Sequence, residues 1–236
     1  MCRMVFAFGK NLKIDQLVDD FRLMALDQNE DHERNQGKKG TFLHKDGWGA
    51  AYLENGQWSL RKSIKPCYED EDFLKLKSIK TSAIMIHTRH ASKGSVKIEN
   101  THPFEAEINS TDYVFCHNGG IEEVDWKKFK LLSFKPQGDG DTEQLFYHIL
   151  NGEISKEGIE RSLSVFENYA AMNFILARKG KVFAATWFRE PRPLYYQMKI
   201  IETPAFTIIS SEILKSFGRK SDWKKLENKK IVERNY

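Results

Sequence analysis

Cys2 is the first residue whose type and place could do chemistry. A small side chain after Met1 permits removal of the initiator methionine, and Cys2 would then carry a thiol and a free α-amine together. Such an amine titrates near about 7.7–8.0, so at neutral pH an appreciable fraction is a base beside the nucleophile. A lone thiol carries little mechanism without partners, and three other segments offer them. His87-Thr88-Arg89-His90-Ala91-Ser92 follows an apolar run, and a guanidinium at such a turn can clamp a carboxylate with two parallel hydrogen bonds. In Phe115-Cys116-His117-Asn118-Gly119-Gly120 the glycines let backbone approach a ligand, and an Asn amide beside a free N–H makes an oxyanion hole. Gly138-Asp139-Gly140-Asp141-Thr142-Glu143 opens an expected helix; its carboxylates could hold an ammonium or simply cap and charge the helix start.

These segments need elements to position them. Val5 to Phe8 is short and apolar enough for a buried strand, and Ile14, Leu17, Val18, Phe21, Leu23 and Met24 recur at roughly helical spacing. Asn55-Gly56 and Lys179-Gly180 sit between strand-like runs and predict two hairpins. Ala83 to His87 and Tyr113 to His117 read as interior strands, Asp141 onward and Ile159 to Phe166 as helices. Leu194 to Met198, Phe206 to Ile209 and Ile231 to Val232 are further expected strands. Residues 29–40 contain no large apolar side chain, which predicts an exposed, mobile loop. Many strands with few helices, and no linker between two cores, predict one mixed α+β domain over 1–236, with sheet packed on sheet and helices outside.

Composition narrows the classes. The 236 residues carry 37 Lys+Arg against 33 Asp+Glu, a net +4, with 40% apolar residues, which excludes collagenous, disulfide-scaffold and wholly disordered chains. Apolar runs such as Ala83 to Ile86 are far too short to span a bilayer, and no charged segment followed by an apolar one opens the chain, so neither membrane nor signal peptide is expected. Cysteines at 2, 67 and 116 are odd in number and widely spread, as thiols of a reducing compartment are; the expected location is cytoplasmic. Residues 215–236 hold eight Lys/Arg and three Asp/Glu, but Trp223, Leu226 and Ile231 interrupt them as core-facing residues would. That favours a solvated final hairpin over a nucleic-acid tail. Metal ligation by His87, His90, His102 or Cys116-His117 lacks the helical HxxxH spacing of zinc proteases. Cys116 sits inside an apolar run, where thiols are usually inert core.

In this order the fragments resemble the class II glutamine amidotransferases, whose glutaminase domain begins with cysteine. The resemblance runs through Cys2, His44-Lys45-Asp46-Gly47-Trp48-Gly49, His87-Thr88-Arg89, Asn100-Thr101-His102-Pro103-Phe104, His117-Asn118-Gly119 and Asp141-Thr142-Glu143. It continues more loosely through Arg192-Pro193-Leu194-Tyr195-Tyr196 and Ser211-Glu212, and the wording is most like the stand-alone branch. It implies the four-layer αββα sandwich of N-terminal-nucleophile hydrolases and hydrolysis of the γ-amide of glutamine through a γ-glutamyl thioester on Cys2. The implied oxyanion donors are the Asn118 side chain and the Gly119 N–H. Arg89 would hold the substrate carboxylate and Asp141 its ammonium, with His102 lining the pocket and Asp46 to Gly49 shaping the loop behind Cys2. His90 and Ser92 belong to the binding segment but depart from the aromatic residue and Thr common among relatives. No cofactor or metal is implied. A larger γ-glutamyl compound as substrate, and a degenerate scaffold subunit, are the alternatives. Any synthase using the ammonia would be a separate polypeptide.

Overall fold

The computed structural model of the chain describes residues 2–122, 124, 126–129, 134–189 and 192–236. In chain order the strands are β1 (Arg3–Gly9), β2 (Trp48–Glu54), β3 (Gln57–Ser63), β4 (Ala83–Thr88), β5 (Phe104–Ile108), β6 (Thr111–Ile121), β7 (Tyr169–Arg178), β8 (Lys181–Thr186), β9 (Lys199–Glu202), β10 (Phe206–Ser210), β11 (Lys224–Lys225) and β12 (Lys230–Asn235). The helices are α1 (Ile14–Ala25), α2 (Glu71–Leu74), α3 (Asp141–Leu150), α4 (Lys156–Ser164) and α5 (Pro193–Tyr196). A seven-stranded sheet runs β11-β9-β10-β1-β4-β2-β3 and a five-stranded sheet runs β12-β8-β7-β6-β5. Every pairing in both is antiparallel. No helix among the described residues is long and apolar enough to cross a membrane.

The side-chain period of two builds the layers. Along β1, Met4, Phe6 and Phe8 enter the core between the sheets, while Val5 and Ala7 pack with Leu17, Val18 and Phe21 of α1. Along β6, Val114 and Cys116 face the other sheet, and Phe115 packs with Leu145 and Phe146 of α3. Three apolar layers thus lie between helix, sheet, sheet and helix: the expected αββα sandwich. Both hairpins form, with Asn55 and Gly56 each at positive φ (52° and 81°), as a tight turn between right-twisted strands requires.

Three expectations are corrected. Leu194 to Met198 is no strand: Pro193 opens the single helical turn α5, its fixed φ suiting the first helical position, and pairing resumes only at Lys199. The tail is no hairpin: β11 pairs with β9 in one sheet and β12 with β8 in the other, with Trp223, Leu226 and Ile231 buried as expected. The 29–40 segment is not uniformly exposed, because Asn29, His32 and Asn35 are buried through polar contacts that a scan for apolar residues does not register.

Candidate active site

Strand parity assembles the site at one end of the sandwich. One step before β1, Cys2 continues the inward face of Met4, and His87 continues that of Met85. Asn118 continues the face of Cys116. The Cys2 nitrogen lies 2.8 Å from Asn118 Oδ1, which turns the NH2 end of that amide away from it. Tyr195 Oη donates to the Cys2 carbonyl at 3.3 Å and stands 3.1 Å from His44 Nε2, so this ring and hydroxyl pin the chain start. Arg3, 1% exposed, ion-pairs with Glu212 (2.6 Å) and donates to the Tyr195 carbonyl, locking α5 against β1.

A small cavity of about 30 Å³ opens beside Cys2. Cys2, Arg89, His90, Ser92, His102, Gly119 and Asp141 all line it, so every expected site residue except Asn118 meets in one place. Asn118 is buried directly behind Cys2.

Arg89 directly follows β4, its guanidinium turned onto its own loop: Nη1 donates to the Ser95 carbonyl at 3.0 Å, and Nη2 to those of Lys93 (2.9 Å) and Gly94 (3.2 Å). Asp46 braces this turn, accepting from Ala91 N–H at 2.7 Å. His90 stacks on Phe42 (4.2 Å between centroids), its Nδ1 2.9 Å from the Leu43 carbonyl. Asp141 is the first residue of α3 after Gly140, and its Oδ2 accepts from Ile121 N–H at 2.8 Å. It therefore ties the helix start to the end of β6 instead of capping its own helix. Asp139 holds the facing loop through Ser95 and Asn100, and the Asn100 amide keeps its carboxyl down at about 2.

Four histidines around the site, His44, His87, His102 and His117, are buried and neutral. Burial holds His87 and His102 well below the ordinary imidazole range, and His44 likewise. His102 Nδ1 lies 2.7 Å from His87 Nε2, which also stands 3.3 Å from the His117 carbonyl. His117 belongs to the opposite face of β6, where its Nδ1 meets Thr142 Oγ1 at 3.0 Å; burial lowers its pKa too. Burial also pushes the Cys116 thiol well up and the Cys67 thiol up to about 12, so both suit core packing, with Cys116 against Met4.

Two backbone approaches define the floor. A Cβ on Gly119 would lie 1.8 Å from the Ala171 carbonyl oxygen, and one on Gly49 would lie 2.1 Å from that of His102. Only glycine lets β7 and the His102 turn come so close.

Sequence reasoning left several cavity residues without roles. Lys93 donates to the Ile121 carbonyl at 2.7 Å across the cavity mouth. Glu143 accepts from the N–H groups of Gln137 and Gly138 and from Tyr147 Oη, ordering the turn before α3. A surface lysine in Ser92-Lys93-Gly94 carries no local signal; Glu143 sat in a quoted motif yet read only as first-turn charge.

With this geometry in hand, comparison with known proteins is decisive at the level of family. The profile of the glutamine amidotransferases class-II matches residues 32–184, more than half of the chain. The chain belongs to that family. It is 33% identical over 115 residues to YafJ of Escherichia coli K12, itself a candidate glutamine amidotransferase, covering 48% of this chain and 44% of that one. It is 25% identical over 210 residues to the uncharacterized protein MJ1515 of Methanocaldococcus jannaschii, covering 83% of this chain and 54% of that one. The chain thus spans about half the length of these curated relatives. In fold it matches the glutamine phosphoribosylpyrophosphate amidotransferase of B. subtilis (TM-score 0.61, 18% identity, 89% of this chain and 42% of that one). It also matches a predicted glutamine amidotransferase from Pseudomonas aeruginosa PA01 (TM-score 0.60, 16% identity, 99% and 92%).

Proposed function

We propose that this amidotransferase hydrolyses the γ-amide of glutamine through a γ-glutamyl thioester on Cys2, once Met1 has been removed. The observation that carries the reading is the Cys2–Asn118 contact at the wall of a cavity shared with Arg89, His102, Gly119 and Asp141. The freed α-amine accepts the thiol proton, and the thiolate attacks the amide carbon. Asn118 Nδ2 and the Gly119 N–H receive the oxyanion, a charge that exists only on the way to product and is therefore worth stabilising there. The protonated amine returns its proton to the leaving ammonia, and water attacks the thioester under the same base to release glutamate.

Recognition divides by charge. Arg89 takes the α-carboxylate, exchanging loop carbonyls for it, and Ser92 adds a hydroxyl. Asp141 has Oδ2 committed to Ile121, leaving Oδ1 for the ammonium. This head group is common to every γ-glutamyl compound, so the leaving amine is chosen elsewhere, along the exposed loop.

The test uses protein whose intact mass shows Met1 absent. Acid quenching during turnover with glutamine should trap a γ-glutamyl adduct on Cys2, with glutamate and ammonia formed in equal amounts and glutathione run as comparator. Cys2→Ala should abolish adduct and turnover; an active Cys2→Ala protein, or full activity with Met1 retained, ends the reading.

A further inference from the structure

We propose that Cys2, His87 and His102 form a binding site for a thiophilic divalent cation, zinc foremost, whose occupancy silences the nucleophile. Ion binding goes beyond the proposed turnover and is independent of it; the silencing rests on that reading.

The three residues are buried, and their candidate ligand atoms lie within 4.8 Å of one another. The two imidazoles are already nearly in register for a shared ion: their rings stand 4.0 Å apart, and His102 Nδ1 meets His87 Nε2 at 2.7 Å. One N–H lies between those two nitrogens; when both turn their lone pairs to an ion that hydrogen bond is given up, and each ring carries its one proton on the far nitrogen. His87 Nδ1, buried and without a hydrogen-bond partner among the described residues, is the position that carries the ring proton when Nε2 ligates. Zinc bonds of about 2.0–2.3 Å set tetrahedral ligand atoms roughly 3.3–3.7 Å apart. The rings would part by about half an ångström to an ångström, and the thiol would draw inward by about one.

The donor set selects the ion. One thiolate and two imidazoles suit zinc and its first-row neighbours; magnesium and calcium ask for oxygen ligands, and no carboxylate belongs to the cluster. The supports are rigid strand positions: His87 lies in the centre of the seven-stranded sheet between β1 and β2, and the His102 carbonyl abuts Gly49. The fourth ligand is supplied by the processed chain itself, because the α-amine and thiolate of one cysteine close a five-membered chelate. On binding, the Cys2 thiol releases its proton to solvent, and each imidazole stays neutral with one N–H. A metal held there takes both the attacking sulfur and the amine that would act as its base, so the same atoms cannot serve substrate.

The experiment takes the full chain with Met1 removed, strips it with a chelator, and titrates it with cobalt(II) alone, then zinc(II). One equivalent of cobalt should bind with a thiolate-to-cobalt charge-transfer band, and one equivalent of zinc should bleach it. Cys2→Ala should lose the band, and His102→Gln should weaken binding by about tenfold or more. His87 is a strand residue whose replacement risks unfolding, so His102→Gln, checked by circular dichroism, carries the imidazole test. Failure to take up a stoichiometric ion, or uptake unchanged in Cys2→Ala or His102→Gln, overturns the proposal. Glutamine hydrolysis by metal-free protein is read separately: cobalt binding without turnover would remove the functional reading alone, and turnover without cobalt binding would remove this one alone.

Discussion

Two polar loops flank Cys2, and they are built on opposite principles. The rear one, residues 27–44, is organised around a buried carboxylate. Asp27, 2% exposed, accepts from Asn35 Nδ2 and His32 Nε2 on one oxygen, and from the N–H groups of Thr41 and Phe42 on the other. His32 is neutral, burial and nearby cations holding its pKa at about 3, with Nδ1 accepting from Arg34 N–H while Nε2 donates to Asp27. The front loop, residues 89–100, is held by the buried Arg89 against carbonyls and by a latch that joins buried Asn100 to exposed Ser95 and Asp139. Val96 and Ile98 stand 48% and 45% exposed on it. Breaking a contact in the rear loop strands donors away from water; breaking the Ser95–Asp139 contacts of the front loop hands their groups to solvent. Equal polarity therefore yields a scaffold behind the nucleophile and an exchangeable wall before it.

The sharpest way to break the contrast is Arg89→Lys. The ammonium keeps the charge and part of the carbonyl contacts but loses the planar fork, so kcat/KM on glutamine should fall about a hundredfold while the melting temperature falls by only about a few degrees. A collapse in melting temperature instead would make the front loop a scaffold as well. The reverse pattern is expected of Asp27→Ala: four stranded donors should lower stability by about 3 kcal/mol, roughly 6–12 °C in a chain of this size, with KM of the folded enzyme unchanged.

Acid should act on the fold. His44, His87 and His102 are neutral when folded but would protonate near 6.5 when unfolded. The unfolded chain therefore binds more protons as pH drops. Stability is full above about 6.5 and declines below it, by on the order of 1–2 kcal/mol for each such histidine at pH 5. Thermal melts at pH 7.5 and pH 5 on metal-free protein measure it; equal midpoints would contradict the burial. The smallest effect is expected of Asp139→Ala, which opens the latch at its exposed end. The melting temperature should barely move and KM should rise about threefold. A large loss of stability would show that the latch belongs to the scaffold.

The same contrast explains what was legible in the sequence. The short apolar runs of β1, β4 and β6 are local signals of buried strands, and the side-chain period of two then brings Cys2, His87 and Asn118 to the facing inner sides of the two sheets. The motif around Arg89, the His102 segment and the Asp141 helix start were likewise contiguous, and all meet at the cavity. What stayed hidden is non-local. Tyr195 reaches the Cys2 carbonyl across 193 positions, and nothing near Leu194 announces that Pro193 starts a helical turn there. The rear loop misled for a related reason: apolarity signals burial only when burial is apolar, and Asn35 and His32 are buried by satisfying Asp27.

The glycine floor constrains how such a protein can change. At Gly49 and Gly119 any other residue would collide with main-chain oxygen, which has no rotamer to yield. Variants there should vanish from any library selected for folding. Along 96–99 the exposed side chains of Val96, Ile98 and Glu99 can be exchanged almost freely. Divergence toward new leaving groups, natural or in the laboratory, is channelled into that one stretch of chain, while the reacting end stays invariant in shape.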